Sequence, residues 1–235
     1  DVNAVIVGWG KGANELYYPK SASNTRAVGA ELGIVMDNIK NNGGSAASRL
    51  YCTGHSLGSH LCGHAGRWTS VGRITGMDPA GPWYDSYSID ASLNPSCASF
   101  VDVMHTHGKG GPVMNYGTLR VLGHMDFYPN EGGMQPGCVT REAQVKGGRP
   151  HFDGLTEEEA IHQIDVACSH GRAHQYFIES VKNDCFIARQ RCTSNTNIPG
   201  SCTSCGGTCG IMGYGARGSG SNGLYYLTTD RKSVV

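Results

Sequence analysis

The chain has no excess of charge of either sign: Lys and Arg number 19, and so do Asp and Glu. That balance gives no pull toward nucleic acid or an anionic membrane surface. No apolar run approaches the ~20 residues that a membrane-spanning helix needs, so no transmembrane segment is expected. The first residues have neither the basic start nor the apolar core of a secretory signal, which a secreted chain would already have lost. An N-glycosylation sequon is missing too, because Asn94-Pro95-Ser96 is blocked by its proline. No internal repeat or linker stands out. Cysteine, by contrast, is plentiful. Ten in 235 residues are many for a reducing compartment, and Cys185, Cys192, Cys202, Cys205 and Cys209 crowd the C-terminal third. Cys202 and Cys205 have C-x-x-C spacing, but no second pair and no histidine flank them at finger spacing, so disulfides are expected rather than zinc.

The most informative run is Gly54-His55-Ser56-Leu57-Gly58, which has the G-x-S-x-G form of a nucleophile elbow. In such an elbow a serine sits on a strained turn between a strand and a helix, and small neighbours let backbone pass close by. The context fits. Arg49 to Thr53 reads as a strand, and Leu57 to Arg67 reads as a helix with Leu61 and Ala65 on one face.

Other elements follow from periodicity. Val2–Trp9 is an apolar run bounded by glycine and reads as a buried strand. Thr25 to Ile39 reads as a helix, with Val28, Leu32, Val35, Met36 and Ile39 recurring at helical spacing. Further strands are expected at Arg73–Met77, Phe100–His105 and Leu224–Leu227. Gly108 to Asp153 reads mostly as loop, and a capping box at Thr156 and Glu159 opens another helix. Alternating strands and helices predict an α/β fold with a mostly parallel sheet covered on both faces. The length suits one sizeable domain or two small ones.

A serine nucleophile needs a histidine base, and the base needs an acid that fixes its tautomer. In α/β-hydrolases the order is Ser, acid, His, with the acid at the end of a strand. Asp78 ends Arg73–Met77 and is stopped by Pro79; Asp102 is the rival, placed mid-strand by alternation. Among ten histidines, His170 follows the acid and adjoins Cys168-Ser169. Spacing alone leaves His105, His107 and His124 in competition with it.

These runs, together with Arg73–Pro82, Phe100–Thr106, Gly123–Gly133 and Cys168-Ser169-His170, resemble the pancreatic lipase family in order over nearly the whole chain. The resemblance implies an α/β-hydrolase fold, with Ser56 as nucleophile, Asp78 as acid and His170 as base. It also implies ester hydrolysis through an acyl-enzyme. Leu57 would give one oxyanion-hole N–H; the family's second donor comes from an upstream His-Gly segment that this sequence does not contain. The expectation is thus a single catalytic domain over 1–235, lacking its N-terminal part and without the C-terminal lipid-binding β-sandwich.

By the same resemblance, Cys138 and Cys168 would close a lid loop at about 139–167. Cys192–Cys202 and Cys205–Cys209 would pair as well, while Cys52 and Cys62 read equally as buried thiols. The family's structural calcium site is represented by Asn94 and Cys97 with only Asp90 nearby, so no metal and no other cofactor is expected. Cys97 is left to pair with another cysteine, Cys185 being a candidate. The expected function is a secreted lipase acting on triacylglycerol at an oil–water or micelle interface, without a colipase-type partner. Phospholipase A1 activity, or a catalytically weak storage or lipid-binding role, is the alternative.

Overall fold

The computed structural model describes residues 2–109, 115–138, 157–183, 186–190, 209–217 and 222–230. Its centre is a seven-stranded sheet in the order β1-β2-β3-β4-β7-β5-β6. The strands are β1 (Tyr51–His55), β2 (Arg73–Met77), β3 (Phe100–Met104), β4 (Met125–Pro129), β5 (Ile187–Gln190), β6 (Cys209–Ile211) and β7 (Gly223–Leu227). Strands β1 to β4 and β7 run parallel, while β5 is antiparallel to both β6 and β7. The helices are α1 (Gly10–Ala13), α2 (Tyr18–Asn42), α3 (Leu57–Trp68) and α4 (Glu157–Lys182). This is the architecture of an α/β-hydrolase.

Alternation along β3 shows how the sheet gains a core on each face. Val101 and Val103 pack with Ile74, Leu93 and Ala65 on the side of α3. Phe100 and Met104 pack with Met125, Tyr176 and Tyr225 on the side of α4. Each such fully buried side chain contributes roughly 1.5–3 kcal/mol. Asp102 lies between them at zero exposure, and its carboxylate is held by Arg73 at 2.8 and 3.1 Å and by Thr75 at 2.9 Å. Helix α2 meets α3 through small residues instead of an aliphatic stripe. A Cβ on Gly29 would lie 2.5 Å from that of His64, and one on Gly33 2.5 Å from that of Trp68. Val35 and Ile39 therefore face outward, although their spacing reads as core.

The structure corrects four expectations. Val2–Trp9 forms no strand; Val2, Val5 and Ile6 are exposed, and only Trp9 packs inward, beside Leu57 and Tyr84. An apolar run becomes a strand when a neighbour offers its ladder, and none of β1 to β7 pairs with this one. Strand β1 begins two residues later than its hydrophobic pattern suggests, because Ala47–Arg49 forms a 3-10 turn. Strand β4 arises inside the segment read as loop, its five residues buried on both faces and so without the alternation that marks a half-buried strand. Finally, β5 and β6 lie in the cysteine-rich tail, too short for any periodicity.

Cysteine pairing is also sharpened. Cys52 bonds Cys62, joining β1 to α3 around the elbow, so these two are not thiols. Cys138 bonds Cys168. Cys97 is a buried free thiol, so the pairing with Cys185 does not form. Cys209 is disulfide-bonded. Cys185, Cys192, Cys202 and Cys205, and lid positions 139–156, lie outside the described residues.

Candidate active site

Parallel strands put their C-terminal ends at one edge of the sheet, and the site is assembled there. Register aligns His55 with Met77 and Met77 with Met104, so Ser56 and Asp78 each follow the last residue of adjacent strands. The Ser56 N–H donates to Met77 O at 3.0 Å, binding the elbow to the residue before the acid. Ser56 has φ 56° and ψ −123°, a region hostile to any side chain and worth roughly 1–3 kcal/mol of strain. Close packing demands a glycine on one side: a Cβ on Gly54 would sit 2.1 Å from Gly58 O, whereas one on Gly58 would meet nothing within 4 Å. The two glycines of the motif thus differ in role. Leu57 opens α3, so its N–H lies at the positive end of a helix dipole.

Asp78 is fully buried. Its Oδ1 accepts the N–H groups of Thr106 at 2.7 Å and His107 at 3.0 Å. Its Oδ2 accepts His170 Nδ1–H at 2.6 Å. Contact is close on the remaining side, where a Cβ on Gly117 would lie 2.4 and 2.5 Å from the two carboxylate oxygens. His170 comes from α4, two residues past the Cys138–Cys168 bond. The His55 ring donates through Nε2 to His170 O at 2.9 Å and lies 4.4 Å from the His170 ring, centroid to centroid. Burial, reinforced by the nearby His170, holds His55 down at about 4, so it is a neutral neighbour. Among the described residues, no hydrogen bond joins Ser56 Oγ to the His170 ring. Catalytic contacts of this kind are commonly loose without substrate.

The rival histidines have other tasks. His105 is fully buried and both ring nitrogens are engaged, with Thr118 O at 2.6 Å and Asp126 Oδ1 at 2.8 Å. His124 Nδ1 accepts Val101 N–H at 2.9 Å, and His107 Nδ1 accepts Tyr116 N–H at 3.3 Å. His60 donates to Ala80 O and accepts from Leu93 N–H, a neutral tautomer that burial pushes down to about 3. At the calcium-like positions, Asn94 Oδ1 accepts from Ser96 N–H and Oγ–H at the start of a 3-10 turn, and Cys97 is a thiol.

Gly117 and the Thr106-His107 peptide groups are parts of the site that sequence reasoning missed. The one available signal was the position of Thr106 just after β3, where the main chain of a parallel sheet turns toward the site.

Comparison with known proteins follows the same outline. The family model described as Lipase matches residues 1–234. Pancreatic triacylglycerol lipase of Myocastor coypus is 38% identical over 238 residues, covering 97% of this chain and 50% of that protein. Pancreatic lipase-related protein 3 of Homo sapiens is 36% identical over 237 residues, covering 97% and 49%. Human pancreatic triacylglycerol lipase is 36% identical over 218 residues, covering 91% and 45%. The chain spans about half the length of these curated relatives. With this match over nearly its full length, the chain belongs to the lipase family.

Proposed function

We propose that the chain is the catalytic part of a serine ester hydrolase that cleaves neutral glycerolipids such as triacylglycerol. Ser56 Oγ attacks the ester carbonyl while His170 Nε2 takes its proton, and Asp78 keeps Nδ1–H oriented and stabilises the imidazolium. The oxyanion develops toward Leu57 N–H, where the start of α3 favours negative charge. Collapse expels the alcohol with the proton returned by His170. Water then repeats the sequence on the acyl-enzyme, and no cofactor enters either half.

The observation that carries the reading is the 2.6 Å bond from His170 Nδ1 to a fully buried Asp78, one strand over from a serine on a strained elbow. A strained serine elbow beside a buried acid–base pair favours the enzyme over a storage or lipid-binding role. The disulfides Cys52–Cys62 and Cys138–Cys168 favour an oxidising compartment, hence secretion. No helix among the described residues is long and apolar enough to cross a membrane. Substrate in this reading is met at an oil–water or micelle surface, and no colipase-type partner is invoked.

A fluorophosphonate probe followed by peptide mapping tests the chemistry: labelling is expected at Ser56 and lost in His170→Ala. Folded protein that stays unlabelled would sink the enzyme reading. Turnover of tributyrin and triolein above phosphatidylcholine is expected; the reverse order would make the chain a phospholipase A1.

A further inference from the structure

Gln135 is 2% exposed and lies in neither the elbow nor the acid–base pair, yet its bonds run to neighbours of the acid and of the base. Its Nε2 donates to Thr106 O at 3.0 Å, Pro129 O at 3.0 Å and Gly133 O at 2.8 Å. Its Oε1 accepts from Asn130 Nδ2 at 2.8 Å and Tyr176 Oη at 3.1 Å. Two amide hydrogens shared among three carbonyls, and two donors on one oxygen, exhaust what the side chain can offer. Its own N–H donates to Ser169 Oγ at 3.1 Å, and its carbonyl accepts Cys138 N–H at 3.0 Å.

Two of these contacts lead directly to catalytic groups. Thr106, whose carbonyl Gln135 holds, is the residue whose N–H binds Asp78 Oδ1. Ser169, which accepts the Gln135 N–H, immediately precedes His170. The Cys138–Cys168 bond runs alongside and ties the Gln135 segment covalently to the residue before Ser169. A buried glutamine needed for packing alone has no reason to bridge these particular neighbours. We propose that Gln135 is a positioning residue, one that fixes the acid-bearing and base-bearing segments to each other so that His170 Nδ1 and Asp78 Oδ2 stay in register. Misplacing catalytic atoms by about 1 Å costs on the order of a hundredfold in rate.

The proposal rests on the hydrolase reading for its rate effect, but its geometric content can be read without turnover. The test is Gln135→Met, close in size but unable to hydrogen-bond, with Gln135→Glu placing a carboxylate against three carbonyls. Two readouts are taken well below each variant's melting midpoint. The first is steady-state hydrolysis of a soluble p-nitrophenyl ester; kcat is expected to fall tenfold to a hundredfold with KM within threefold. The second is the proton spectrum, where the Nδ1–H of His170, deshielded by its short bond to Asp78, resonates far downfield of the amides. That signal is expected to broaden or move in Gln135→Met. If the variant melts lower but keeps wild-type kcat and an unmoved signal, Gln135 is structural and the proposal falls. If wild-type protein shows the signal but neither turns over nor labels at Ser56, the hydrolase reading fails while the resonance still decides the hold of Gln135. Should Gln135→Met not fold, Ser169→Ala removes only the contact beside the base, and an unmoved signal there also overturns the proposal.

Discussion

Gly117→Ala gives the sharpest test of how the acid is held. The added methyl would lie 2.4 Å from Asp78 Oδ1 and 2.5 Å from Oδ2. A carbon and an oxygen in ordinary contact sit about 3.4 Å apart, so roughly 1 Å of relief is needed. Gly117 is pinned from both directions, since its N–H donates to His107 O at 3.1 Å and it bridges Ala80. The carboxylate, which can turn about its side-chain torsions, is the group expected to move, against the hold of the Thr106 and His107 N–H groups. Displacement of about that size is worth on the order of a hundredfold in rate, near 2.7 kcal/mol. Overpacking of a tight site costs about 1–3 kcal/mol in stability. The assay is hydrolysis of a soluble ester at saturating and limiting substrate, with a thermal melt run beside it. kcat should fall about a hundredfold with KM little changed; Gly10→Ala, where a Cβ meets nothing within 4 Å, should behave as wild type. A Gly117→Ala protein with kcat within threefold of wild type would refute the idea that this glycine leaves room for the acid.

Three further outcomes are expected. Ser56→Gly relieves the φ 56° conformation and should raise stability by roughly 1 kcal/mol in denaturant melts while abolishing labelling; a loss of stability would contradict the strained elbow. His55 and His60 are held at about 4 and about 3 by burial, so as pH drops below 6.5 protons bind the unfolded chain first. Stability should be independent of these rings above pH 6.5 and fall by up to about 1.4 kcal/mol per pH unit for each ring down to those values; a flat profile between pH 4 and 6.5 would refute it. Arg73→Met leaves the fully buried Asp102 without its cation and should cost about 3–5 kcal/mol, or prevent folding, and wild-type stability would show that Thr75 alone suffices.

The fold class was legible from the alternation of strands and helices, and the candidate site from its residue types and their order, while several local elements were not. Ser56 announces itself because a strained turn admits few neighbours, and Asp78 because a strand must end where Pro79 follows. Histidine identity was beyond spacing: His105 also meets an aspartate at 2.8 Å, and only full burial with both nitrogens committed separates it from His170. Val2–Trp9 shows the opposite limit. Its composition is that of a strand, but pairing depends on a neighbour's ladder, which is not written in the segment itself. Gly117 and Gln135 were invisible because each matters through a residue more than 25 positions away, Asp78 for one and Thr106 and Ser169 for the other.

Apart from His170 on Oδ2, Asp78 is gripped by two peptide N–H groups on Oδ1, those of Thr106 and His107. Peptide groups survive almost every point mutation, so the grip does not depend on which residues occupy these two positions. Drift there is tolerated as far as the acid is concerned, with one prohibition: proline, which alone lacks the hydrogen that Asp78 needs. Residues 106 and 107 can therefore change identity while Asp78 keeps the same two donors.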